Sequence, residues 1–169
     1  MRRSIGILVL ALAALTGCVG MSSAPSTEGG AFGGGKEIHV VRHLQKAAGE
    51  DPALTSEGGV AAIRLADMLA NKGIVAIFAT PTRRTMETGA PLANRLGITI
   101  TPYDPRDLDT LVRAISSLDG SVLVIGHSNT VPDLVERLGG QQVPELTEQD
   151  YGTLFTIDET GEVRSREID

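Results

Sequence analysis

An α/β fold with a mainly parallel central sheet and helices on both faces is the fold class that this sequence predicts. From Lys36 onward, short apolar runs alternate with longer segments in which apolar residues recur with helical spacing. The apolar runs are nearly continuous, as in residues 74–79 (Ile-Val-Ala-Ile-Phe-Ala), which is typical of strands buried on both faces. Alternating β and α units of this kind favour a three-layer α/β/α arrangement.

The predicted strands are the short apolar runs. Four of them belong to the alternating part of the chain and lie over residues 37–41, 74–79, 98–103 and 121–126. Two more lie over residues 152–157 and 163–168, and Glu159-Thr160-Gly161 joins them. A turn of this composition between two apolar runs is typical of a hairpin, so the chain is expected to end in one.

The predicted helices cover the stretches with helical spacing, namely residues 54–69, 83–96, 108–118 and 130–138. Glycines follow three of them and are placed to end the helix: Gly73, Gly97 and Gly139-Gly140. Asp107 precedes the third helix and is expected to be its N-cap.

Residues 1–17 predict a secretory signal. Arg2 and Arg3 form a basic start, residues 5–15 are apolar but too short to span a bilayer, and Leu15-Thr16-Gly17-Cys18 follows. This ending resembles the bacterial lipobox, in which cleavage precedes a cysteine that becomes lipidated. The chain is therefore expected to be an exported lipoprotein, anchored through Cys18 on the periplasmic or extracytoplasmic side of a membrane. The alternative is that Cys18, the only cysteine, is a buried thiol in an uncleaved helix.

Residues 18–35 predict a flexible tether, and residues 36–169 the folded domain. The tether is rich in serine and glycine and almost uncharged, so it cannot form a core. The formal net charge of the chain is −6, and cleavage before Cys18 removes Arg2 and Arg3, which gives −6 − 2 = −8. A net acidic protein is a poor general partner for nucleic acid, so any anion site must be a local positive focus.

Chemically active side chains follow four of the predicted strands. His43 follows the first strand, residues 80–84 the second, Asp104 the third and His127 the fourth. Because ligands bind at the carboxyl ends of parallel strands, these segments are expected at one edge of the sheet. With Arg42 and an arginine from residues 80–84, two guanidiniums and two imidazoles would surround a phosphate dianion. A neutral imidazole is also a nucleophile toward phosphorus, so the pattern indicates phosphoryl transfer.

Three segments resemble, in the same order, signature segments of the histidine phosphatase superfamily, which has the phosphoglycerate-mutase-like fold. Val40-Val41-Arg42-His43 is similar to the Arg-His-Gly signature. Residues 80–88 (Thr-Pro-Thr-Arg-Arg-Thr-Met-Glu-Thr) are similar to the Ser-Pro-x-x-Arg-Ala-x-x-Thr segment, and residues 122–129 to the second-histidine segment. Leu54-Thr55-x-x-Gly58 matches a further family feature, and the resemblance covers residues 37–140.

The resemblance implies roles for the matched residues. His43 would attack phosphorus and carry a phosphohistidine, while its other ring nitrogen donates to a backbone carbonyl. Arg42 and Arg84 would clamp the phosphate. His127 would stabilise the transferring group, either as a cation or through hydrogen bonding. Ser128 would bind the substrate phosphate or, alternatively, be an ordinary turn residue.

The sequence leaves open which residue would donate a proton to an alkoxide leaving group. Asp104 is the best-placed carboxylate, whereas Asp107 is expected to cap a helix and Glu87 to pair with Arg83 or Arg84. A phosphohistidine substrate would need no acid. With three histidines and one cysteine in the chain, neither a metal cluster nor a cofactor is expected.

Two departures from the family pattern bear on activity. Leu44 stands where the family usually has glycine, which reduces conformational freedom beside the nucleophile. Only residues 104–107 stand where mutases have a long lid insertion.

The resemblance thus implies a small, open, cofactor-independent phosphatase for a small phosphorylated substrate or a phosphoprotein. The alternatives are a phosphoglycerate mutase and a non-catalytic phosphate-binding envelope lipoprotein, which Leu44 favours. Arg83 is expected on a helix surface, and His39 is expected to be structural.

Overall fold

The computed structural model describes residues 35–168, so the predicted signal peptide, Cys18 and nearly all of the predicted tether lie outside the described residues. Within residues 35–168, no helix is both long enough and apolar enough to span a membrane. The elements in chain order are β1 (Ile38–Arg42), α1 (Ser56–Leu69), β2 (Ile74–Ala79), α2 (Arg83–Leu96), β3 (Ile100–Pro102), α3 (Leu108–Ser116), β4 (Ser121–Gly126), α4 (Val131–Gly139), β5 (Thr153–Ile157) and β6 (Val163–Glu167).

The strands of the described residues form one sheet with the order β3-β2-β4-β1-β5-β6. β3, β2, β4 and β1 pair in parallel, whereas β5 pairs antiparallel with both β1 and β6. The predicted α/β class with a mainly parallel sheet and the predicted terminal hairpin are therefore confirmed. β4 lies inside the sheet, and every one of its residues is buried, as expected for a strand with helices on both faces.

The sheet has a separate hydrophobic core on each face. Val41 and Ile125 belong to the core that is shared with α1 and α2. Their neighbours Val40 and Val124 belong to the core that is shared with α3 and α4. The division follows from the two-residue period of a strand, in which successive side chains point to opposite faces.

Capping groups define several helix ends, and two of them, Asp107 and Gly97, were predicted from the sequence. The Thr55 hydroxyl accepts a hydrogen bond of 3.1 Å from a backbone N–H in the first turn of α1. The Asp107 carboxylate does the same at the start of α3, also at 3.1 Å. Gly97, with a φ of +67°, ends α2 in the left-handed conformation.

Most predicted elements differ from the structure by one or two residues at one or both ends, and two of the differences have a visible cause. The third strand is shorter than predicted, because the N–H of Ile98 donates to the carbonyl oxygen of Ala93 at the end of α2. Residues 98 and 99 are thereby held by the helix end, and pairing with β2 begins only at Ile100. α1 ends at Leu69, and Gly73 (φ +66°) lies in the turn before β2 instead of at the helix end.

The start of α1 packs tightly against the loop that follows β1. The N–H of Thr55 donates to the carbonyl oxygen of Gln45 at 2.9 Å, and Gly58 lies directly against the same oxygen. A β-carbon at position 58 would overlap that oxygen, whereas one at Gly59 would have no atom of residues 35–168 within 4 Å. Gly58 is therefore required by the close approach of helix and loop.

We expect Gly58→Ala to lower the free energy of unfolding by about 1–3 kcal/mol, because the loop after β1 must shift to admit the methyl group. Gly59→Ala is the matched control one residue later and should raise it by about 0.5–1 kcal/mol, because alanine favours the helical backbone. Urea denaturation of both variants measures the difference. Equal stability of the two variants would show that the loop moves aside without cost.

Candidate functional site

Two histidines meet at the sheet edge because β1 and β4 are adjacent and parallel. Arg42, the last residue of β1, is paired with Gly126, the last residue of β4. The N–H of His43 donates to the carbonyl oxygen of Gly126 at 2.9 Å and holds the two strand ends together. His43 and His127 therefore lie side by side, with ring centroids 5.4 Å apart and ring planes inclined by 64°.

His43 is oriented as a neutral nucleophile would need to be. Its Nδ1 lies 3.0 Å from the carbonyl oxygen of Leu44, which can only accept, so Nδ1 carries the proton and Nε2 keeps its lone pair. Burial, together with the positive charges of Arg42 and Arg84, lowers the pKa of His43 to about 4, although the hydrogen bond to Leu44 acts in the opposite direction. The imidazole is therefore neutral at neutral pH.

Leu44 fits beside His43 without backbone strain. Its side chain is fully buried in the core under α1 and α2, where Leu65 and Leu92 also lie. Its N–H donates to the Thr88 hydroxyl at 3.1 Å. Among residues 35–168, positive φ angles occur only at glycines, so Leu44 does not occupy a conformation that favours glycine. The departure from the family pattern leaves the local geometry intact.

Of the two adjacent arginines at the start of α2, only Arg84 faces the histidines. Its Nη2 lies 3.4 Å from Nδ1 of His127, and its side chain is 19% exposed. Its Nε is buried and has no hydrogen-bond partner in the described part of the chain. Arg83 is 60% exposed and donates through Nε to Glu87 at 2.8 Å, as its predicted surface position implies.

His127 is held by Thr80, which follows β2. The Thr80 hydroxyl lies 2.8 Å from Nε2 of His127 and donates onward to the Thr85 hydroxyl at 3.2 Å. Because Arg84 donates toward Nδ1, Nε2 carries the proton of the neutral ring. Burial lowers the pKa of His127 to about 4, assisted by the charge of Arg84. In the free molecule His127 is thus a neutral hydrogen-bonding group, and the cationic alternative is disfavoured.

Arg42 organises a segment that the sequence did not connect with it. The guanidinium is buried, and its Nη1 donates to the carbonyl oxygens of Thr147 at 2.6 Å and Asp150 at 3.0 Å. Its Nη2 lies 3.4 Å from the Glu148 carboxylate, and its Cζ lies 4.1 Å above the Tyr151 ring. Nε is buried without a hydrogen-bond partner among the described residues. Arg42 therefore ties residues 147–151 to the site and keeps one donor free.

Sequence reasoning missed Tyr151, Glu148 and Asp51 as neighbours of the site. The Tyr151 ring lies 5.8 Å from the His43 ring, and an Asp51 oxygen lies 3.8 Å from Nη1 of Arg84. Both come from segments without regular secondary structure, so no periodicity in the sequence pointed to them. Thr80, in contrast, lies inside residues 80–88, whose motif was recognised, so the sequence did contain a signal for this residue.

Ser128 lies at the rim of the site in the turn before α4. Its hydroxyl lies 3.4 Å from a Glu148 oxygen, and the other Glu148 oxygen faces Arg42. Ser128 is therefore close to the predicted phosphate-binding groups, and both of its predicted roles, substrate binding and turn residue, remain compatible with this position.

Asp104 is not arranged as a proton donor. It does lie at the predicted sheet edge, in a cavity of about 510 Å³ that it lines together with Thr80 and His127. However, Arg106 binds both of its oxygens, at 2.9 and 2.8 Å. These hydrogen bonds lower the pKa of Asp104 to about 2, so the group is ionised at neutral pH. Glu87, the other predicted candidate, is held by Arg83 and by the N–H of Leu54.

A second cavity of about 540 Å³ lies against α4. Its lining residues include Ser128, Asn129 and Glu145. Within residues 35–168, no group of three or more His, Cys, Asp or Glu side chains is placed to hold a metal ion. The site thus consists of cationic and imidazole groups, with one cavity lined by His127 and another lined by the adjacent Ser128.

The sequence comparison supports the resemblance that the motifs indicated. A family model for the histidine phosphatase superfamily (branch 1) matches residues 38–107. The protein Rv0525 of Mycobacterium tuberculosis is 39% identical over 67 residues, which is 35% of this chain and 33% of that protein. The match spans about a third of the length of this curated relative. The match covers less than half of the chain, so these findings show that residues 38–107 are similar to the histidine phosphatase superfamily.

Solved structures share the fold over most of the described chain. The protein histidine phosphatase SixA in complex with tungstate has a TM-score of 0.61 and 22% identity, over 77% of this chain and 94% of that chain. SixA from Agrobacterium tumefaciens has a TM-score of 0.58 and 21% identity, over 80% and 96%. The native mycobacterial glucosyl-3-phosphoglycerate phosphatase has a TM-score of 0.60 and 13% identity, over 78% and 96%. At these identities the likeness establishes the fold.

The third histidine, His39, lies inside β1 away from the site and is 1% exposed. Its Nδ1 lies 3.0 Å from the Thr156 hydroxyl, and its Nε2 lies 3.7 Å from a Glu37 oxygen. Burial lowers its pKa from 6.5 to about 4, although the charge of Glu37 acts in the opposite direction. His39 is thus a neutral core residue, in agreement with the structural role expected for it.

We expect His39 to make the folded state less stable in acid. The unfolded chain binds a proton at this residue below about pH 6.5 and the folded chain only below about pH 4, so stability is complete above pH 6.5 and falls between these values. The loss from this residue is up to about 3 kcal/mol. In His39→Gln, the free energy of unfolding from urea titrations should therefore change less between these pH values. Parallel pH curves for variant and wild type would contradict this.

Proposed function

We propose that this protein is a cofactor-independent phosphatase that hydrolyses its substrate through a phosphohistidine on His43. The observation that carries the proposal is the free Nε2 lone pair of a neutral His43 beside the guanidiniums of Arg42 and Arg84. The Nε groups of Arg42 and Arg84 have no hydrogen-bond partner within residues 35–168. A tetrahedral oxyanion supplies the acceptors that such buried donors need.

The first half of the proposed reaction forms the intermediate. Nε2 of His43 attacks phosphorus, the bond from phosphorus to the leaving group breaks, and its electron pair goes to the leaving atom. Arg42 and Arg84 neutralise charge on the phosphoryl oxygens during transfer. The proton on Nδ1 remains hydrogen-bonded to the carbonyl oxygen of Leu44, which holds the ring in place. His127 adds a hydrogen bond, and a bound dianion favours its protonation.

The second half releases phosphate. Water attacks phosphorus in line with the bond to Nε2, that bond breaks, and its electron pair returns to His43. The surroundings suit this step, because His127 lines one cavity and the adjacent Ser128 lines another, which leaves room for a water molecule. The product is inorganic phosphate, and the nucleophile regains its starting state.

The substrate class that we propose is a phosphomonoester or a phosphohistidine, on a small molecule or on a protein. Only residues 103–107 separate β3 from α3, so no long lid covers the site from that side in the described chain. Such openness suits a substrate presented on a larger body. Two neighbours of the same fold are named as phosphatases of these two kinds: SixA for protein histidine and the mycobacterial enzyme for glucosyl-3-phosphoglycerate. The short loop gives no support to the mutase alternative.

We expect the full-length protein in detergent to hydrolyse p-nitrophenyl phosphate equally well with and without a chelator. His43→Ala should lower kcat/KM by at least about three orders of magnitude, because it removes the nucleophile. Acid-quenched incubation with a ³²P-labelled substrate should label wild-type protein in an acid-labile form and leave His43→Ala unlabelled. Activity that a chelator abolishes, or that persists in His43→Ala, would refute the proposal.

Two adjacent arginines provide the matched control for this experiment. Arg84→Gln should lose about 10²–10³-fold in kcat/KM, because it removes a phosphate-binding donor. Arg83→Gln should lose little, because Arg83 is exposed and faces Glu87. Tungstate binding without turnover and without a labelled histidine would indicate the non-catalytic phosphate-binding alternative. Conversion of 3- to 2-phosphoglycerate would indicate the mutase.

We also propose that the protein is a lipoprotein anchored through Cys18 outside the cytoplasm. The support is the order of basic start, apolar run, small residues and cysteine in residues 1–18. Since residues 18–35 have a composition typical of a flexible linker, the catalytic domain would stand off the membrane surface.

The lipid anchor predicts covalent labelling. Full-length protein made in bacteria that are fed an alkyne fatty acid should carry the label, and Cys18→Ser should not, because the thioether needs the thiol. Gel fluorescence after click reaction measures the label. Wild-type protein that stays unlabelled would exclude the anchor.

A further inference from the structure

One carboxylate contacts the predicted phosphate-binding groups from two sides. An oxygen of Glu148 lies 3.4 Å from Nη2 of Arg42, and its other oxygen lies 3.4 Å from the Ser128 hydroxyl. Its negative charge also acts on the ring of His127. In the free molecule, Glu148 therefore contacts the groups that phosphate would use.

Three other carboxylates near the site are each held by hydrogen bonds to neighbouring groups. Asp104 is bound by Arg106 through both oxygens, and Glu87 is bound by Arg83 and the N–H of Leu54. Asp51 accepts from the N–H of Arg83 at 2.9 Å, which places its charge at the N-terminus of α2. Glu148 is 69% exposed and lies on residues 140–152, which contain no helix or strand, so it is the carboxylate with room to move.

We propose that Glu148 is the proton donor to the leaving group, and in the second step the base that takes a proton from water. This assignment rests on the proposed phosphatase function. Phosphate would displace the Glu148 carboxylate from Arg42 and Ser128 but leave it in contact with the phosphoryl group. A second anion at that distance favours the protonated carboxyl, which is the form that can donate.

The proton balance of the two steps is closed. In the first step, Nε2 of His43 forms a bond to phosphorus, the phosphorus–oxygen bond breaks, and the leaving oxygen takes the Glu148 proton to depart as an alcohol. In the second step, water gives a proton to the Glu148 carboxylate as its oxygen bonds to phosphorus, and the phosphorus–nitrogen bond breaks toward His43. Glu148 ends protonated, as it began.

The test compares the hydrolysis of two aryl phosphates that differ in leaving group, phenyl phosphate and p-nitrophenyl phosphate, by full-length Glu148→Gln. Glutamine keeps the size and the hydrogen-bonding oxygen but cannot donate an acidic proton. Phenolate is the poorer leaving group, so kcat/KM for phenyl phosphate should fall about 10²-fold, and that for p-nitrophenyl phosphate much less. Glu145→Gln, on the same segment and lining the neighbouring cavity, should change neither. Inorganic phosphate should inhibit Glu148→Gln at least as strongly as wild type, because a competing negative charge is gone.

Each other outcome decides against the assignment. Equal losses for both esters, or weaker inhibition by phosphate, would mean that Glu148 only supports the fold of the pocket, and no loss for either would mean that it takes no part. Wild-type protein that hydrolyses neither ester would refute the proposed function itself, and the acid role with it. Failure of the acid role alone would leave hydrolysis of p-nitrophenyl phosphate by wild type intact and dependent on His43.

Discussion

The parallel pairing of β1 with β4 is the constraint on which the site depends. Arg42 is opposite Gly126, and His43 donates to the Gly126 carbonyl, so the residues that follow the two strands must be neighbours. β2 lies on the other side of β4, with Ala79 opposite Ile125, which brings the Thr80 hydroxyl to His127. Burial of these strands between two helical layers makes their register costly to change, because a slip of one residue would move each apolar side chain to the opposite face.

Burial and neighbouring positive charge together explain why both imidazoles are neutral. Burial is the larger cause, and the two guanidiniums nearby add to the cost of a further positive charge. Asp51 and Glu148 each face one arginine from the rim and limit the excess of positive charge. The same crowding thus gives the proposed site both its positive charge and an unprotonated His43.

The sequence predicted the helices and strands, because their apolar residues recur with a regular period, and it predicted the segments that follow them. His43, Arg84 and His127 were placed correctly because each follows or begins an element whose neighbours in the sheet are set by topology. The contact of Arg42 with Thr147 joins residues 105 positions apart through a segment without periodicity, so no local pattern announced it. The pairing of Asp104 with Arg106 was not predicted. The position of Asp104 after β3 was right, but Arg106, two residues later, forms a two-point ion pair with it.

Leu44, which stands where the histidine phosphatase pattern usually has glycine, shows how this chain holds His43. The backbone there needs no left-handed conformation, so a side chain is admissible, and that side chain fills the core under α1 and α2. The carbonyl that fixes the His43 tautomer and the N–H that binds Thr88 belong to this same buried residue. Because a packed leucine moves less than an exposed glycine, the orientation of the imidazole is coupled to the hydrophobic core. Gly58 contributes to the same arrangement, because the absence of a side chain allows α1 to pack directly against the carbonyl oxygen of Gln45 in the loop after β1.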